Sequence, residues 1–139
     1  MIYIQTQAIA VKGAIVRDGK VLTIYRTEAE LAQDRTSGPA DFPGGRLEYA
    51  EAPTEGLYRE ILEETGLQVN IGPVIHVWSI MRPDGLQLVI ILYRCYWADG
   101  EVQLGPEHDR FEWVDTNADH LPSWIAEGVQ SALKVIAVD

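Results

Sequence analysis

Three glutamates lie on one face of a short segment that is predicted to be helical, and no lysine or arginine stands between them. Glu60, Glu63 and Glu64 are spaced at i, i+3 and i+4, which on a helix brings their Cβ atoms to about 5–6 Å from one another. Such like-charged neighbours destabilise an isolated helix by about 0.2–0.5 kcal/mol per pair. A hard divalent cation would offset this repulsion, because Mg²⁺ and Mn²⁺ bind carboxylate oxygens. The alternative explanation is an acidic face exposed to solvent.

Another side of the same segment is apolar. Its residues recur at helical spacing, and they are Leu57, Ile61, Leu62 and Thr65. This stripe is expected to pack on a core. Pro53 suits the first turn, because the N–H that it lacks would have no partner there. Gly66 suits the left-handed position that ends a helix.

The residues around these glutamates match a known motif. Gly45, five residues, Glu51, seven residues and then the run Arg59 to Leu67 (REILEETGL) fill every fixed position of the Nudix box. The chain therefore resembles the MutT-like Nudix hydrolase family. The resemblance covers Gly45 to Leu67 only, and it is specific for the family rather than for a substrate.

The resemblance implies a Mg²⁺ or Mn²⁺ cofactor and a set of site residues. The positions that match the family's metal ligands are Gly45, Glu51, Glu60, Glu63 and Glu64. Glu60, Glu63 and Glu64 also count as catalytic residues, together with Arg59. The arginine that matches Arg59 orients a catalytic glutamate in the family, and here Arg59 and Glu63 form an i, i+4 pair.

Further candidates lie outside the box. Many Nudix enzymes place another carboxylate, a metal ligand or base, where this chain has Glu107, although a solvated acidic loop explains Glu107 equally well. The neighbouring His108 is expected at the surface. Arg35 is a candidate phosphate contact in the segment 27–40, which is either a lid or a mobile surface loop. Arg46, next to the box glycine, is the second substrate-binding candidate.

The composition limits the possible classes of protein. A chain of 139 residues with 47% hydrophobic content predicts one domain, residues 1–139. The net charge of −10 argues against binding duplex nucleic acid, which depends on lysine and arginine. The single Cys95 predicts a buried thiol in a reducing compartment. We see neither a signal peptide nor a run of the roughly 20 apolar residues that a membrane span needs, so a cytoplasmic location is expected.

The remaining pattern alternates strands and turns and closes with a helix. We expect hairpins of 8–16 with 21–26 and of 74–81 with 86–97, short strands at 102–104 and 111–114, a polar loop at 105–110 and an amphipathic helix over 121–138. The class is α+β, and the resemblance implies a single-domain Nudix-type α/β/α sandwich with a mixed central sheet. The tryptophans at 78, 97, 113 and 124 are expected in the core. His76 and His120 are expected to be structural.

The resemblance also implies a reaction. It is hydrolysis of a nucleoside diphosphate linked to a moiety X, either a nucleoside triphosphate or an ADP-ribose-like compound, to a nucleoside monophosphate plus pyrophosphate or phospho-X. Pro83, sixteen residues after the box, favours ADP-ribose-like substrates, although its Arg-Pro-Asp-Gly turn explains it as well. The expected partner is a small nucleotide, with no membrane, and the protein is a monomer or homodimer. The alternative is a non-catalytic nucleotide sensor, but such members usually lose box glutamates and none is lost here.

Overall fold

The computed structural model of the protein describes residues 6–33 and 38–134. The strands are β1 (Thr6–Arg17), β2 (Lys20–Arg26), β3 (Ala40–Asp41), β4 (Gly44–Arg46), β5 (Gln68–Met81), β6 (Leu86–Asp99) and β7 (His108–Val114). The helices are α1 (Glu28–Gln33), α2 (Pro53–Thr65) and α3 (Ser123–Leu133). Both predicted hairpins, the box helix and the C-terminal helix are therefore confirmed, as far as residue 134.

The strands form one mixed sheet between α2 and α3. Its order is β3-β2-β1-β6-β5, with β4 also paired to β1 and β7 to β2. Strands β1 and β6 are parallel, from the pair Thr6 and Leu86 to the pair Val16 and Tyr96. The other pairings are antiparallel. The predicted α+β sandwich with a mixed sheet is confirmed.

Each face of the sheet carries its own apolar core. The α2-side core includes Leu57 and Ile61 of the helix, packed with Leu22 of β2. The α3-side core includes Ile125 and Val129 of α3. Because side chains alternate along a strand, neighbouring residues of β2 contribute to opposite cores. Because of this alternation, apolar side chains cover both faces of the sheet.

Helix α2 forms and ends as the sequence predicts, with one exception. Leu57, Ile61 and Thr65 are completely buried, but Leu62 is 43% exposed. Leu62 follows Ile61 directly, and a rotation of about 100° per residue turns it away from the core. Gly66 adopts φ 72°, and its N–H donates to the Leu62 carbonyl at 2.9 Å. The helix stop at Gly66 is thus confirmed.

Three local predictions are wrong. Residues 102–104 do not form a strand; instead the Gln103 N–H donates to Thr65 O at 2.8 Å and the Gly105 N–H to Glu64 O at 3.0 Å. The last carbonyls of a helix lack internal donors, so this segment caps α2 rather than joining the sheet. Strand β7 begins at His108, inside the predicted polar loop, because its pairing with β2 extends that far. The predicted loop 27–40 contains helix α1.

Cys95 is fully buried and unpaired, as expected. Burial raises the pKa of its thiol to about 12, which keeps the sulfur protonated and unreactive. Within residues 6–33 and 38–134, no helix has the length and apolar character to cross a membrane.

Candidate active site

A cavity of about 790 Å³ opens where α2 and β4 meet the α3-facing side of the sheet. At one end, the cavity is lined by Glu60 and Glu64 together with Lys12 of β1 and Arg26 of β2. The other end is formed by β5, β6 and α3. We call these the charged half and the apolar half. The apolar half is lined by Phe42, Trp78, Ile80, Leu88, Ile90 and Trp124.

Glu64 is the deepest of the box glutamates. Its Oε2 accepts a hydrogen bond from the backbone N–H of Gly44 at 3.0 Å. Burial raises the pKa of its carboxyl to about 8, although this hydrogen bond and the nearby Lys12 act in the opposite direction. A carboxylate is disfavoured here until another positive charge arrives.

Glu60 approaches the backbone so closely that any side chain at position 45 would displace its carboxylate. A Cβ built on Gly45 would lie 2.6 Å from Cδ of Glu60. Burial raises the pKa of Glu60 as well, while its hydrogen bond from Arg59 opposes that shift. The box glycine therefore makes room for a carboxylate beside its own peptide.

Arg59 donates hydrogen bonds to three of the box carboxylates. Its Nε donates to Oε2 of Glu51 at 2.7 Å and its Nη2 to Oε1 at 2.9 Å. Its Nη1 donates to Glu60 at 3.0 Å and to Glu63 at 3.4 Å. The forked hydrogen bond from Arg59 lowers the pKa of Glu51 to about 2. Arg59 thus holds Glu51 and Glu60 in fixed orientations.

The box glutamates consequently divide into two pairs. Glu60 and Glu64 line the cavity, whereas Glu51 and Glu63 bind Arg59 at its flank. The Glu63 side chain is 61% exposed. The i, i+4 contact predicted for Arg59 and Glu63 is present, but Glu63 does not face the cavity.

The oxygen atoms that the charged half offers as ligands suit a hard cation. Two carboxylates and the backbone of a glycine supply only oxygen, the ligand that Mg²⁺ and Mn²⁺ prefer. The raised pKa of Glu64 marks a position where a cation would favour the ionised form. Across the described part of the chain, however, no group of three or more His, Cys, Asp or Glu side chains is already assembled as a metal site. Glu60, Glu64 and the backbone of Gly45 line the cavity and could hold the ion, while Glu51 and Glu63, which contact Arg59, stay predicted ligands.

A buried charge cluster faces these carboxylates, and sequence reasoning missed it. Lys12 Nζ and Arg26 Nη2 both contact Oδ2 of Asp41, at 2.7 and 2.8 Å. Asp41 is 4% exposed. Two cations share one carboxylate, so the cluster keeps a net positive charge beside the cavity. A lysine within the apolar run of β1 was the available signal, because an unpaired lysine is rarely buried.

His108 joins this wall of the cavity, and the expectation of a surface residue is wrong. It is 8% exposed, because the pairing of β7 with β2 carries it inward. Burial lowers the pKa of its imidazole, which keeps the ring neutral at pH 7. Its Nδ1 has no hydrogen-bond partner among the residues that the structure describes.

The other predicted site residues are placed as follows. Glu107 and Arg46 both line the cavity. Arg35 lies outside the described residues, so its role stays a prediction. Pro83 lies in the turn between β5 and β6, and its neighbour Arg82 lines the cavity.

The aromatic residues separate by face of the sheet. Trp97 and Trp113 pack on the α2-side core, as expected. Trp78 and Trp124 pack on the α3-side core but also line the cavity, which the sequence pattern did not distinguish. His120 bonds to Glu112 at 2.7 Å, a contact outside the cavity.

Comparison with known proteins agrees with this geometry. The NUDIX domain family matches residues 7–131. The chain is 30% identical over 108 residues to a MutT-like protein of Streptomyces ambofaciens and 33% identical over 111 residues to an ADP-ribose pyrophosphatase of Methanocaldococcus jannaschii. These alignments cover 77% and 79% of this chain and 63% of each relative. The chain therefore spans just under two-thirds of the length of these relatives.

Solved structures show the same fold. A MutT protein from Methanosarcina mazei Go1 superposes with a TM-score of 0.75 at 24% identity, covering 93% of this chain and 94% of that one. A MutT Nudix hydrolase from Burkholderia pseudomallei superposes with a TM-score of 0.72 at 26% identity, covering 92% and 96%. These structures show the fold, and the family match over residues 7–131 establishes that the chain belongs to the Nudix hydrolase family.

Proposed function

We propose that this protein is a divalent-cation-dependent hydrolase of nucleoside diphosphates linked to a moiety X, including nucleoside triphosphates and ADP-ribose-like compounds. The products are a nucleoside monophosphate plus pyrophosphate or phospho-X. The observation that carries the proposal is the pair of carboxylates, Glu60 and Glu64, held against the backbone of Gly44 and Gly45 at one end of a substrate-sized cavity. The relatives named MutT-like protein and ADP-ribose pyrophosphatase support it.

The charged half supplies both signs of charge that the reaction needs. A bound Mg²⁺ or Mn²⁺ would neutralise the pyrophosphate and promote attack by water at phosphorus. Glu60, Glu64 and the backbone of Gly45 are the ligands that we assign to it. Arg59 is a positioning residue, since it contacts Glu51 and Glu60 rather than the cavity.

Proton transfer requires a base near the phosphorus. We assign this role to Glu107, because it lines the cavity together with Glu60 and Glu64. Glu63 can serve only after its bond to Arg59 opens. Loss of activity in Glu107→Gln with retained nucleotide binding is the outcome that this assignment requires.

Lys12 is expected to bind a substrate phosphate. Lys12→Met should raise KM by about 10- to 100-fold, since a hydrogen bond to a charged group contributes about 1.5–3 kcal/mol. Lys20→Met, at the exposed β1–β2 turn, is the matched control and should leave KM unchanged. Steady-state kinetics of the two variants make the comparison. An unchanged KM in Lys12→Met would exclude this contact.

The reaction itself is tested with a panel of nucleotides and dinucleotides, with Mg²⁺ or Mn²⁺, in ¹⁸O-labelled water. We expect products that carry ¹⁸O on phosphorus, identified by mass, and no turnover in excess EDTA. Label on a sugar or base carbon, or turnover at full rate in EDTA, would refute the proposal. Nucleotide binding without any turnover would favour the sensor alternative.

A further inference from the structure

The apolar half of the cavity is walled mainly by two tryptophans. The indole rings of Trp78 and Trp124 lie with centroids 5.8 Å apart and planes tilted by 48°. His76 stacks on Trp78 at 5.0 Å, and Phe42 meets Trp124 edge-on at 5.8 Å. Each indole is therefore supported by a second ring, which limits its motion. Both indoles line the cavity, and because their centroids are too close for a third ring to fit between them, a flat ligand would stack on the pair from the cavity side.

The rest of this wall offers few groups that could distinguish one base from another. Ile80, Leu88 and Ile90 complete it with aliphatic side chains. Each indole provides one N–H donor and no acceptor. Within the described residues, Arg82, in the turn between β5 and β6, is the one charged side chain that this hairpin brings to the cavity lining, and it too only donates. The side chains of this wall therefore offer hydrogen-bond donors but no acceptor to the edge of a base.

The distribution of charge orients a nucleotide in this cavity. The carboxylates and the cluster of Lys12, Arg26 and Asp41 occupy the opposite half. The phosphate chain of a nucleotide would bind at that end, where positive charge is available. Its base would be buried at the tryptophan end. Stacking on aromatic side chains contributes strongly to binding for every base, because all bases present a π face.

We propose that Trp78 and Trp124 form a nucleobase-stacking subsite that tolerates different bases. The inference rests on the proposed function, which makes the substrate a nucleotide. Apolar contacts discriminate by about 10- to 200-fold at most, whereas a site that bonds a particular polar edge reaches 10⁴-fold or more. Adenine and guanine are therefore bound within about 200-fold of each other. Purines bind more tightly than pyrimidines, because their rings cover more of the indole faces.

Calorimetric titration with nucleoside monophosphates tests the subsite without turnover. AMP, GMP, CMP and UMP are titrated in the presence of Mg²⁺, with ribose 5-phosphate as the ligand that has no ring. Trp78→Leu is expected to weaken all four nucleotides by about tenfold or more, in line with the loss of a stacking contact. Ribose 5-phosphate binding should not change. Trp78→Phe should restore most of the affinity.

Trp97→Leu is the matched control. Trp97 is also partly buried in the β5–β6 hairpin, but it packs on the α2-side core, so its loss should leave nucleotide affinity intact. Equal affinities in Trp78→Leu and wild type, or no nucleotide binding by wild type, would overturn the subsite. A preference of a thousandfold between AMP and GMP would overturn the base tolerance. If binding follows Trp78 but no pyrophosphate linkage is cut, the hydrolase proposal fails and the subsite stands.

Discussion

Glu64→Gln is expected to lower kcat by about 10²- to 10³-fold, the usual cost of removing one group that stabilises charge in a transition state. Glu64 is the box carboxylate that reaches deepest into the cavity, and its contact with the Gly44 N–H fixes its position. Glutamine keeps the shape and can still accept that hydrogen bond. What it removes is the negative charge that we assign to cation binding.

The same substitution should stabilise the metal-free protein near neutral pH. The pKa of Glu64 is about 8 in the fold, against 4.5 ordinarily, so the native state binds more protons than the unfolded state between these values. The free energy of unfolding of the wild type therefore falls as pH rises from about 4.5 to 8 and levels off on either side. Glu64→Gln lacks this decline and should be more stable by about 3 kcal/mol at pH 7.

Denaturant unfolding at several pH values, with EDTA and with Mg²⁺, measures this effect beside a rate assay. Mg²⁺ should stabilise the wild type by mass action and the variant much less. Glu55→Gln, on an exposed position of the first turn of α2, is the control and should change neither rate nor pH dependence. A less stable metal-free Glu64→Gln with undiminished kcat would mean that the acidic face is structural.

Gly45→Ala is expected to abolish most activity with little effect on folding. The new Cβ would lie 2.6 to 2.8 Å from the Glu60 carboxylate, which is the flexible end of a side chain and can move aside. A displacement of about 1 Å at a reacting centre can reduce the rate about 100-fold. Thermal melting and steady-state kinetics on the same preparation measure both quantities.

Gly44→Ala, one residue earlier, should have the opposite balance. Its Cβ would meet the Val11 carbonyl oxygen at 2.0 Å, and Gly44 has φ 151°, a conformation that side chains disfavour. Backbone cannot move aside, so we expect a loss of several kcal/mol of stability. A well-folded Gly44→Ala, or a fully active Gly45→Ala, would contradict the close packing of this glycine pair.

The spacing of residues in the Nudix box by itself determined the local structure of the site. Helical periodicity placed Leu57 and Ile61 in the core, and Gly66 ended the helix. These features are local, since each depends on residues within about one helical turn. The hairpins and the family followed from similarly short patterns.

The tertiary structure decided which glutamates face the cavity. The helical spacing puts Glu60, Glu63 and Glu64 on one face of α2, but in the structure Glu63 contacts Arg59 while Glu64 accepts a hydrogen bond from Gly44. Which neighbour a carboxylate finds depends on how the β4 segment packs on the helix. No periodicity within the helix contains that information.

Strand pairing decided the rest of the site. Lys12 of β1 and Arg26 of β2 both contact one carboxylate oxygen of Asp41 in β3. The pairing of β7 with β2 brings His108 inward beside them. Likewise, the alternation of side chains along β5 and β6 puts Trp78 on the cavity side of the sheet and Trp97 in the opposite core. Contacts between residues far apart in sequence form only when the sheet assembles, so a local pattern determines the acidic helix but not the cavity that it faces.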